Sequence, residues 1–171
     1  TVKKMIALGG AVTVEAGAGT SSAMTDDMYK AAGATIASGA DVYRDADVVL
    51  RVRQPSPSEI GQMKKGAVLL ALLSPHQEKD ALKALAGQGV SAFSMELVPR
   101  ITRAQTMDVL SSQANLAGYR AVLEAANTFS RGFPLMMTAA GTVPPATIFI
   151  MGAGVAGLQA IATARRLGAT V

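Results

Sequence analysis

The sequence predicts an α/β fold with a doubly wound parallel sheet, and three observations carry that prediction. Short runs rich in β-branched and apolar residues alternate with segments of helical periodicity. Some runs are apolar throughout, as from Val68 to Leu72, which is typical of a parallel strand covered on both faces. Half of the residues are hydrophobic and only 16% are charged, which excludes a disordered chain.

Five strands are predicted in the first half of the chain, separated by helical segments. They are Ala11–Glu15, Ala34–Ala37, Asp47–Val52, Ala67–Leu72 and Val90–Ser94. The alternative is an antiparallel α+β domain, whose strands would alternate apolar and polar residues. Only Val12 to Glu15 alternates in this way, so the parallel arrangement is favoured.

Helix boundaries are marked by capping residues. Thr1 to Leu8 has amphipathic helical spacing, and Thr25 precedes two acidic residues suited to a helix N-terminus. Ser56 to Glu59 combines a capping box with proline at the first helical position. Three glycines that follow helical segments predict helix ends: Gly9, Gly33 and Gly87.

The pattern changes after the fifth strand. Residues 96–110 are predicted to be a loop, and a long helix is predicted from Ser111 to Phe129. Its apolar residues available for burial are Leu116, Tyr119, Ala121, Leu123 and Ala126. A strand from Ala146 to Met151, a helix from Val155 to Leu167 and the start of another strand at Ala169 follow. We also expect the methionines, including the pair Met136 and Met137, to fill the core.

These elements divide the chain into three segments. Residues 1–110 form an N-terminal α/β subdomain, 111–134 a connecting helix, and 135–171 the first βαβ unit of a second α/β subdomain. Because the sequence opens on Thr1, inside a helical pattern, we expect the chain to be a fragment with both subdomains truncated.

Composition argues against several classes of function. With no cysteine and one histidine, the chain lacks the ligands of a zinc site and a cysteine nucleophile, and we predict no metal site. Aromatic residues make up 4% of the chain, too few for a nucleic-acid stacking surface. Gly132 to Ala164 carries no charge, but Pro144, Pro145 and several glycines interrupt it, which disfavours a membrane-spanning helix.

A glycine-rich turn is the strongest functional motif. Gly152, Ala153, Gly154, Val155, Ala156 and Gly157 fit the pattern G-x-G-x-x-G between an apolar strand and a helix. This setting is that of the dinucleotide-binding turn of a Rossmann fold: Gly152 permits the turn, Gly154 admits a diphosphate and Gly157 permits close packing. The alternative is a turn that serves packing alone. The acidic residue that would distinguish NAD from NADP is expected beyond Val171.

Three segments resemble the NAD-binding region of the proton-translocating nicotinamide nucleotide transhydrogenases. They are Met95 to Arg120, Met137 to Ala146 and Gly152 to Val171. The resemblance implies two α/β subdomains, the second a Rossmann fold, with NAD(H) in the cleft between them. It also implies that Arg100, Gln105 and Asp108 form a loop that meets the nicotinamide, with Ser111 as a further cofactor-binding residue.

The resemblance further implies an activity and partners. The reaction would be Re/Si-specific, direct hydride transfer from NADH to NADP⁺, coupled to proton translocation. NADP(H) would be bound by a partner domain, and other domains would span the membrane. We therefore expect a homodimeric, peripheral component of a membrane complex on the cytoplasmic face of a bacterial inner membrane, inactive as a fragment.

Three alternatives remain open at this stage. Asp108 could simply cap the next helix, with the arginines solvated. An alanine dehydrogenase shares the fold, but by resemblance it uses a lysine at the position of Arg53 and a histidine near Ser74. The chain could also be a binding module without chemistry. His76 is expected to be a solvated or capping residue, and Arg51 and Arg53 are expected to have surface roles.

Overall fold

The computed structural model describes all residues, from Thr1 to Val171. They form two compact units, Thr1–Leu97 and Val98–Val171. Each unit is described separately below.

Helices and strands alternate along the first unit, as the sequence predicts. Its elements are α1 (Val2–Ala7), β1 (Thr13–Glu15), α2 (Asp26–Ala31), β2 (Thr35–Ala37), β3 (Val48–Leu50), α3 (Pro57–Gln62), β4 (Val68–Ala71), α4 (Lys79–Gln88) and β5 (Ser91–Ser94). Short 3-10 helices cover Thr20–Ser22, Gly39–Val42 and Met95–Leu97. All five predicted strands are present, each slightly shorter than its predicted range.

Every strand pair in this unit is parallel. β1 pairs with β2, and β3, β4 and β5 form a three-stranded sheet in that order. In that sheet Leu50 lies beside Leu70, and Leu70 lies beside Phe93. The predicted α/β fold with parallel strands is therefore confirmed.

The core of the first unit lies on one face of the three-stranded sheet. Leu69 and Ala71 of β4 are fully buried there, against Ile60 of α3 and Leu85 of α4. On the opposite face Leu50 is 51% exposed. The prediction that these strands are covered on both faces is wrong for the described chain, because α3 and α4 both contribute to the core on the same face.

Local capping chemistry determines where the short helices begin. The Thr25 hydroxyl accepts a hydrogen bond from the Met28 amide at 3.3 Å. At α3 both halves of the capping box form, since Ser56 Oγ accepts from the Glu59 amide and Glu59 accepts from the Ser56 amide. Both N-termini therefore follow the sequence prediction.

The end of α4 differs from the prediction. Gly87 lies inside the helix, and the left-handed residue that ends it is Gly89, with φ of +76°. The Val90 amide then donates to the Leu85 carbonyl at 3.0 Å, which closes the helix around the buried Leu85. Both glycines suit a helix end, and the burial of Leu85 and Val90 favours the later one.

The second unit contains two packed helices and a small hairpin. Its elements are a 3-10 helix (Thr102–Met107), α5 (Val109–Thr128), β6 (Met136–Thr138), β7 (Gly141–Val143) and α6 (Val155–Arg166). The predicted long helix is confirmed and begins two residues earlier than expected. The predicted loop at 96–110 instead contains 3-10 helices, and the antiparallel hairpin β6–β7 was not predicted.

The strand predicted from Ala146 to Met151 is not formed as a strand. Only one parallel bridge is present, between Thr147 and Thr170. The Ile148 amide donates to the Thr170 carbonyl, and the Thr170 amide donates to the Ala146 carbonyl, both at 2.8 Å. The segment is short of a strand because only this position is paired, although the predicted extended partner after Gly168 is in place.

The core of the second unit lies where α5 and α6 pack together, and its centre includes Val122, Ala160 and Ala164. The expected apolar face of α5 is partly wrong: Leu116, Tyr119 and Ala121 are exposed, Leu123 and Ala126 are half-buried, and the buried residues of this helix are Gly118 and Val122. The reason is that α6 approaches the small residue Gly118 rather than the large side chains.

The methionine pair is also misplaced by the sequence prediction. Met136 is 38% exposed and Met137 is 85% exposed, because both lie on the two-stranded hairpin and not in the core. Met63 of the first unit, by contrast, is fully enclosed. None of the helices combines the length and the hydropathy that crossing a bilayer would require.

Candidate functional site

The glycine turn before α6 has the backbone geometry that its sequence predicts. Gly152 has φ of +102°, in the left-handed region that favours glycine. A Cβ on Gly157 would overlap the carbonyl oxygen of Gly152 and lie 2.8 Å from its carbonyl carbon. The turn therefore closes only because neither position carries a side chain.

Gly154 is different, because its surroundings are open. No atom lies within 4 Å of the place where its Cβ would be, and its φ of −76° is accessible to any residue. Conformation and packing therefore do not require glycine here. The absence of a side chain instead leaves the backbone free for close approach by a ligand, as expected for the second glycine of a diphosphate-binding turn.

The N-terminus of α6 is available for an anion. The helix begins at Val155, and its N-cap residue, Gly154, provides no side-chain cap. Amide groups in the first turn of a helix have no carbonyl partner within the helix, and the helix dipole adds partial positive charge there. This turn can therefore bind a phosphate group through backbone amides.

A cavity of about 340 Å³ lies against this turn within the second unit. The glycine turn forms one side of its wall, and Arg100, Ser111 and Ala114 form another. The structure thus brings two of the predicted loop residues, Arg100 and Ser111, to the same cavity as the predicted diphosphate site. A guanidinium and backbone amides on one cavity are suited to an anionic ligand.

Asp108 is the N-cap of α5 and is bonded to a residue of the cavity wall. Its carboxylate accepts from the Ser111 amide at 2.9 Å and from the Ser111 hydroxyl at 2.6 Å. The hydroxyl bond, and then the amide bond, lower the pKa of Asp108 below its ordinary value. Because the Ser111 hydroxyl uses its single donor on Asp108, it can offer a ligand only acceptor capacity.

The remaining predicted loop residue, Gln105, does not line the cavity. It lies on the 3-10 helix Thr102–Met107 with its side chain exposed. The structure therefore collects Arg100, Ser111 and, through Ser111, Asp108 around the glycine turn, but leaves Gln105 outside the cavity wall.

Two wall residues were missed by sequence reasoning, Ala114 and Met151. Ala114 could have been found, because it follows Ser111 by three positions on α5 and so shares its helix face. Met151 directly precedes the glycine turn and is 88% exposed, so the signal was its position at the end of the predicted strand.

Arg51 has a different role from the one expected. It is not a free surface residue: its side chain is only 24% exposed and pairs with Glu59 at 2.6 Å. The same guanidinium donates to the Tyr43 hydroxyl at 2.6 Å, and that hydroxyl donates to Glu59 at 2.9 Å. Partial burial and the Glu59 hydrogen bond raise the pKa of Tyr43 to about 12. Arg53 and His76 are not buried, as expected.

A second polar cluster of the first unit is centred on Glu96. Its carboxylate accepts from the Ser74 amide at 2.5 Å, the Leu73 amide at 3.1 Å and the Ser94 hydroxyl at 2.6 Å. Burial raises its pKa, but these donors outweigh burial, so the pKa lies below the ordinary value. The charge thus holds the segments after β4 and β5 together.

Comparison with known proteins agrees with this geometry. The N-terminal domain of the alanine dehydrogenase/PNT family matches residues 1–117, and the C-terminal domain of the same family matches residues 121–171. The chain belongs to the alanine dehydrogenase/PNT family. The family resemblance inferred from the sequence is thereby confirmed.

Within the alanine dehydrogenase/PNT family the chain is similar to both named branches. It is 54% identical to the first portion of the divided NAD(P) transhydrogenase subunit alpha of Rhodospirillum rubrum, over 99% of this chain and 46% of that protein. It is 33% identical to the alanine dehydrogenase of Mycobacterium tuberculosis, over 99% of this chain and 46% of that protein.

A solved structure shows the same relationship. The crystal structure of transhydrogenase from Sinorhizobium meliloti matches with a TM-score of 0.96 and 60% identity, over 98% of this chain and 50% of that chain. The chain thus spans about half the length of these relatives. Its similarity to transhydrogenases is the stronger of the two.

Proposed function

We propose that this chain is the NAD(H)-binding component of a proton-translocating transhydrogenase, acting in Re/Si-specific, direct hydride transfer from NADH to NADP⁺. The observation that supports the proposal best is the cavity shared by the glycine turn, Arg100 and Ser111. The similarity to proteins named NAD(P) transhydrogenase subunit alpha supports the same reaction.

The residues present fit a dinucleotide. The uncapped first turn of α6 and the open surface over Gly154 suit a diphosphate. Arg100 supplies donors and Ser111 supplies an acceptor for other polar groups of the ligand. A reduced nicotinamide supplies the hydride itself, so the protein has to bind and orient it rather than provide an acid or a base.

The proposal includes partners that this chain does not contain. The relative from Rhodospirillum rubrum is named as one portion of a subunit alpha, which indicates an enzyme of several components. We propose that NADP(H) is bound by a partner domain, that further domains span the membrane, and that this component acts as a homodimer at the cytoplasmic face of a bacterial inner membrane. The fragment alone would be inactive.

The test is an assay of the full-length chain together with its partner subunits. NADH should reduce an NADP⁺ analogue, followed by absorbance, and alanine with NAD⁺ should give no NADH. Alanine is the informative competing substrate, because the family also includes alanine dehydrogenases. Alanine oxidation without transhydrogenation would overturn the proposed function and would place this chain in the other branch.

A second prediction concerns Gln105. Gln105→Asn should slow hydride transfer far more than it weakens NADH binding, because its proposed task is to position the nicotinamide ring and not to hold the diphosphate. The measurement is single-turnover kinetics of the full enzyme, alongside equilibrium dialysis with NADH.

The matched control for this substitution is Gln113→Asn, which makes the same change at an exposed position of α5. The control should leave both quantities close to those of the wild type. Equal losses of rate and affinity in Gln105→Asn would contradict the positioning role.

A further inference from the structure

One side of α5 faces the cavity and then the glycine turn itself. Ser111 and Ala114 line the cavity, and Gly118 follows on the same side of the helix. Gly118 is buried, whereas Leu116 and Tyr119 beside it are exposed. The contact between α5 and α6 is therefore made through the residue without a side chain.

The contact at Gly118 is between two backbones. A Cβ on Gly118 would overlap the carbonyl oxygen of Ala156, and would lie 2.9 Å from its carbonyl carbon and 3.0 Å from its Cα. All three are main-chain atoms, so no rotation of a side chain could relieve the overlap. A larger residue would have to move one helix away from the other.

The atoms that would move belong to the anion-binding turn. Ala156 is the second residue of α6, lies between Gly154 and Gly157 in the motif, and lines the cavity. Restoring ordinary contact would displace it by on the order of 1 Å. Hydrogen bonds to a ligand weaken steeply with such shifts in distance and angle.

We propose that Gly118 is a positioning residue that holds the first turn of α6 at the distance from α5 that a diphosphate-containing nucleotide requires. This inference rests on the proposed nucleotide function of the cavity. It assigns a role in binding to a residue that lies outside the glycine motif and outside the loop around Gln105.

The experiment compares three ligands on the full-length Gly118→Ala chain. NADH and ADP carry a diphosphate, and adenosine does not. Displaced amides should weaken NADH and ADP by about tenfold, the loss expected for one charge-assisted hydrogen bond, while adenosine changes by less than about twofold. Affinities are measured by equilibrium dialysis or by competition with labelled NADH.

Two control variants separate positioning from general damage. Val122→Ala removes buried side-chain volume from the same helix interface without adding an atom near Ala156, so it should lower stability but keep the ratio of ADP to adenosine affinity. Gly87→Ala makes the same chemical change inside α4, where no atom lies within 4 Å of the new Cβ, and should keep all three affinities.

The outcomes distinguish this inference from the proposed function. A wild-type full-length chain that binds neither NADH nor ADP would overturn the proposed function. A wild type that binds both, with Gly118→Ala unchanged or with equal losses for all three ligands, would overturn the role of Gly118 alone.

If Gly118→Ala does not fold, Ala114→Val provides the second variant. Ala114 is half-buried and lines the cavity on the same face of α5, so its enlarged side chain enters the cavity without meeting the Ala156 backbone. It should weaken NADH by several-fold, and unchanged NADH binding would overturn the claim that this face of α5 sets the space for the nucleotide.

Discussion

Gly157→Ala is expected to abolish NADH binding by the full-length chain and to destabilise the second unit. The new Cβ would overlap the Gly152 carbonyl oxygen and lie 2.8 Å from its carbonyl carbon, so the turn has to open. Overpacking against a rigid backbone costs about 1–3 kcal/mol or more. The opened turn also loses the alignment of its amides, and the loss of affinity should exceed about a hundredfold.

Equilibrium dialysis with NADH and thermal unfolding measure the two effects. Gly154→Ala is the matched control, because its Cβ would enter open space at an ordinary φ. We expect it to leave the unfolding temperature unchanged but to weaken NADH, since the Cβ would stand at the surface that the diphosphate approaches. A Gly157→Ala chain that binds NADH as tightly as the wild type would contradict the proposed site.

The second large effect is expected for Glu59→Gln in the first unit. Glu59 accepts from Arg51 at 2.6 Å, from the Tyr43 hydroxyl at 2.9 Å and from both the amide and the hydroxyl of Ser56. A neutral amide would leave the Arg51 guanidinium, 24% exposed, without its anion. The free energy of unfolding should fall by about 2 kcal/mol, since the pair is largely but not fully buried.

This loss should depend on pH. Partial burial raises the pKa of Glu59, but the hydrogen bonds from Arg51 and Ser56 outweigh it and lower the pKa from 4.5 to about 2. A lowered folded-state pKa stabilises the fold above the unfolded value, and this contribution is lost as the pH falls from about 4.5 through about 2. The difference between wild type and variant should therefore be full at neutral pH and shrink in acid.

Chemical denaturation at neutral and acidic pH measures both claims. Glu124→Gln is the control, because it breaks an exposed helical ion pair with Arg120 and should change stability by less than about 1 kcal/mol at any pH. A difference for Glu59→Gln that stays constant from neutral pH to about pH 2 would show that the charge of Glu59 is not what stabilises the cluster.

Features that depend on neighbours along the chain were predictable. The capping box at Ser56 and Glu59 forms because both residues bond to backbone groups within one turn. The strand at Val68–Ala71 is found because its apolar run is incompatible with a solvated loop. The positive φ of Gly152 follows from a tight turn between an extended segment and a helix.

The candidate site was predictable only in places. The glycine turn, Arg100 and Ser111 share a cavity, as the sequence suggested, while the role proposed for Gln105 stays a prediction because this residue does not line the cavity. Ala114 was overlooked because alanine carries no chemical signal. Its importance comes from where α5 lies relative to α6.

The sequence by itself thus determined the class of fold, the order of helices and strands and the glycine turn, because each depends on hydrogen bonds and periodicity within a few residues. Tertiary structure alone decided that Gly118 and not Leu116 is buried on α5, that Met137 lies exposed on a hairpin, and that Arg51 pairs with Glu59. These outcomes depend on which distant segment approaches, and a backbone contact such as that of Gly118 with Ala156 leaves no pattern of hydrophobic residues to read.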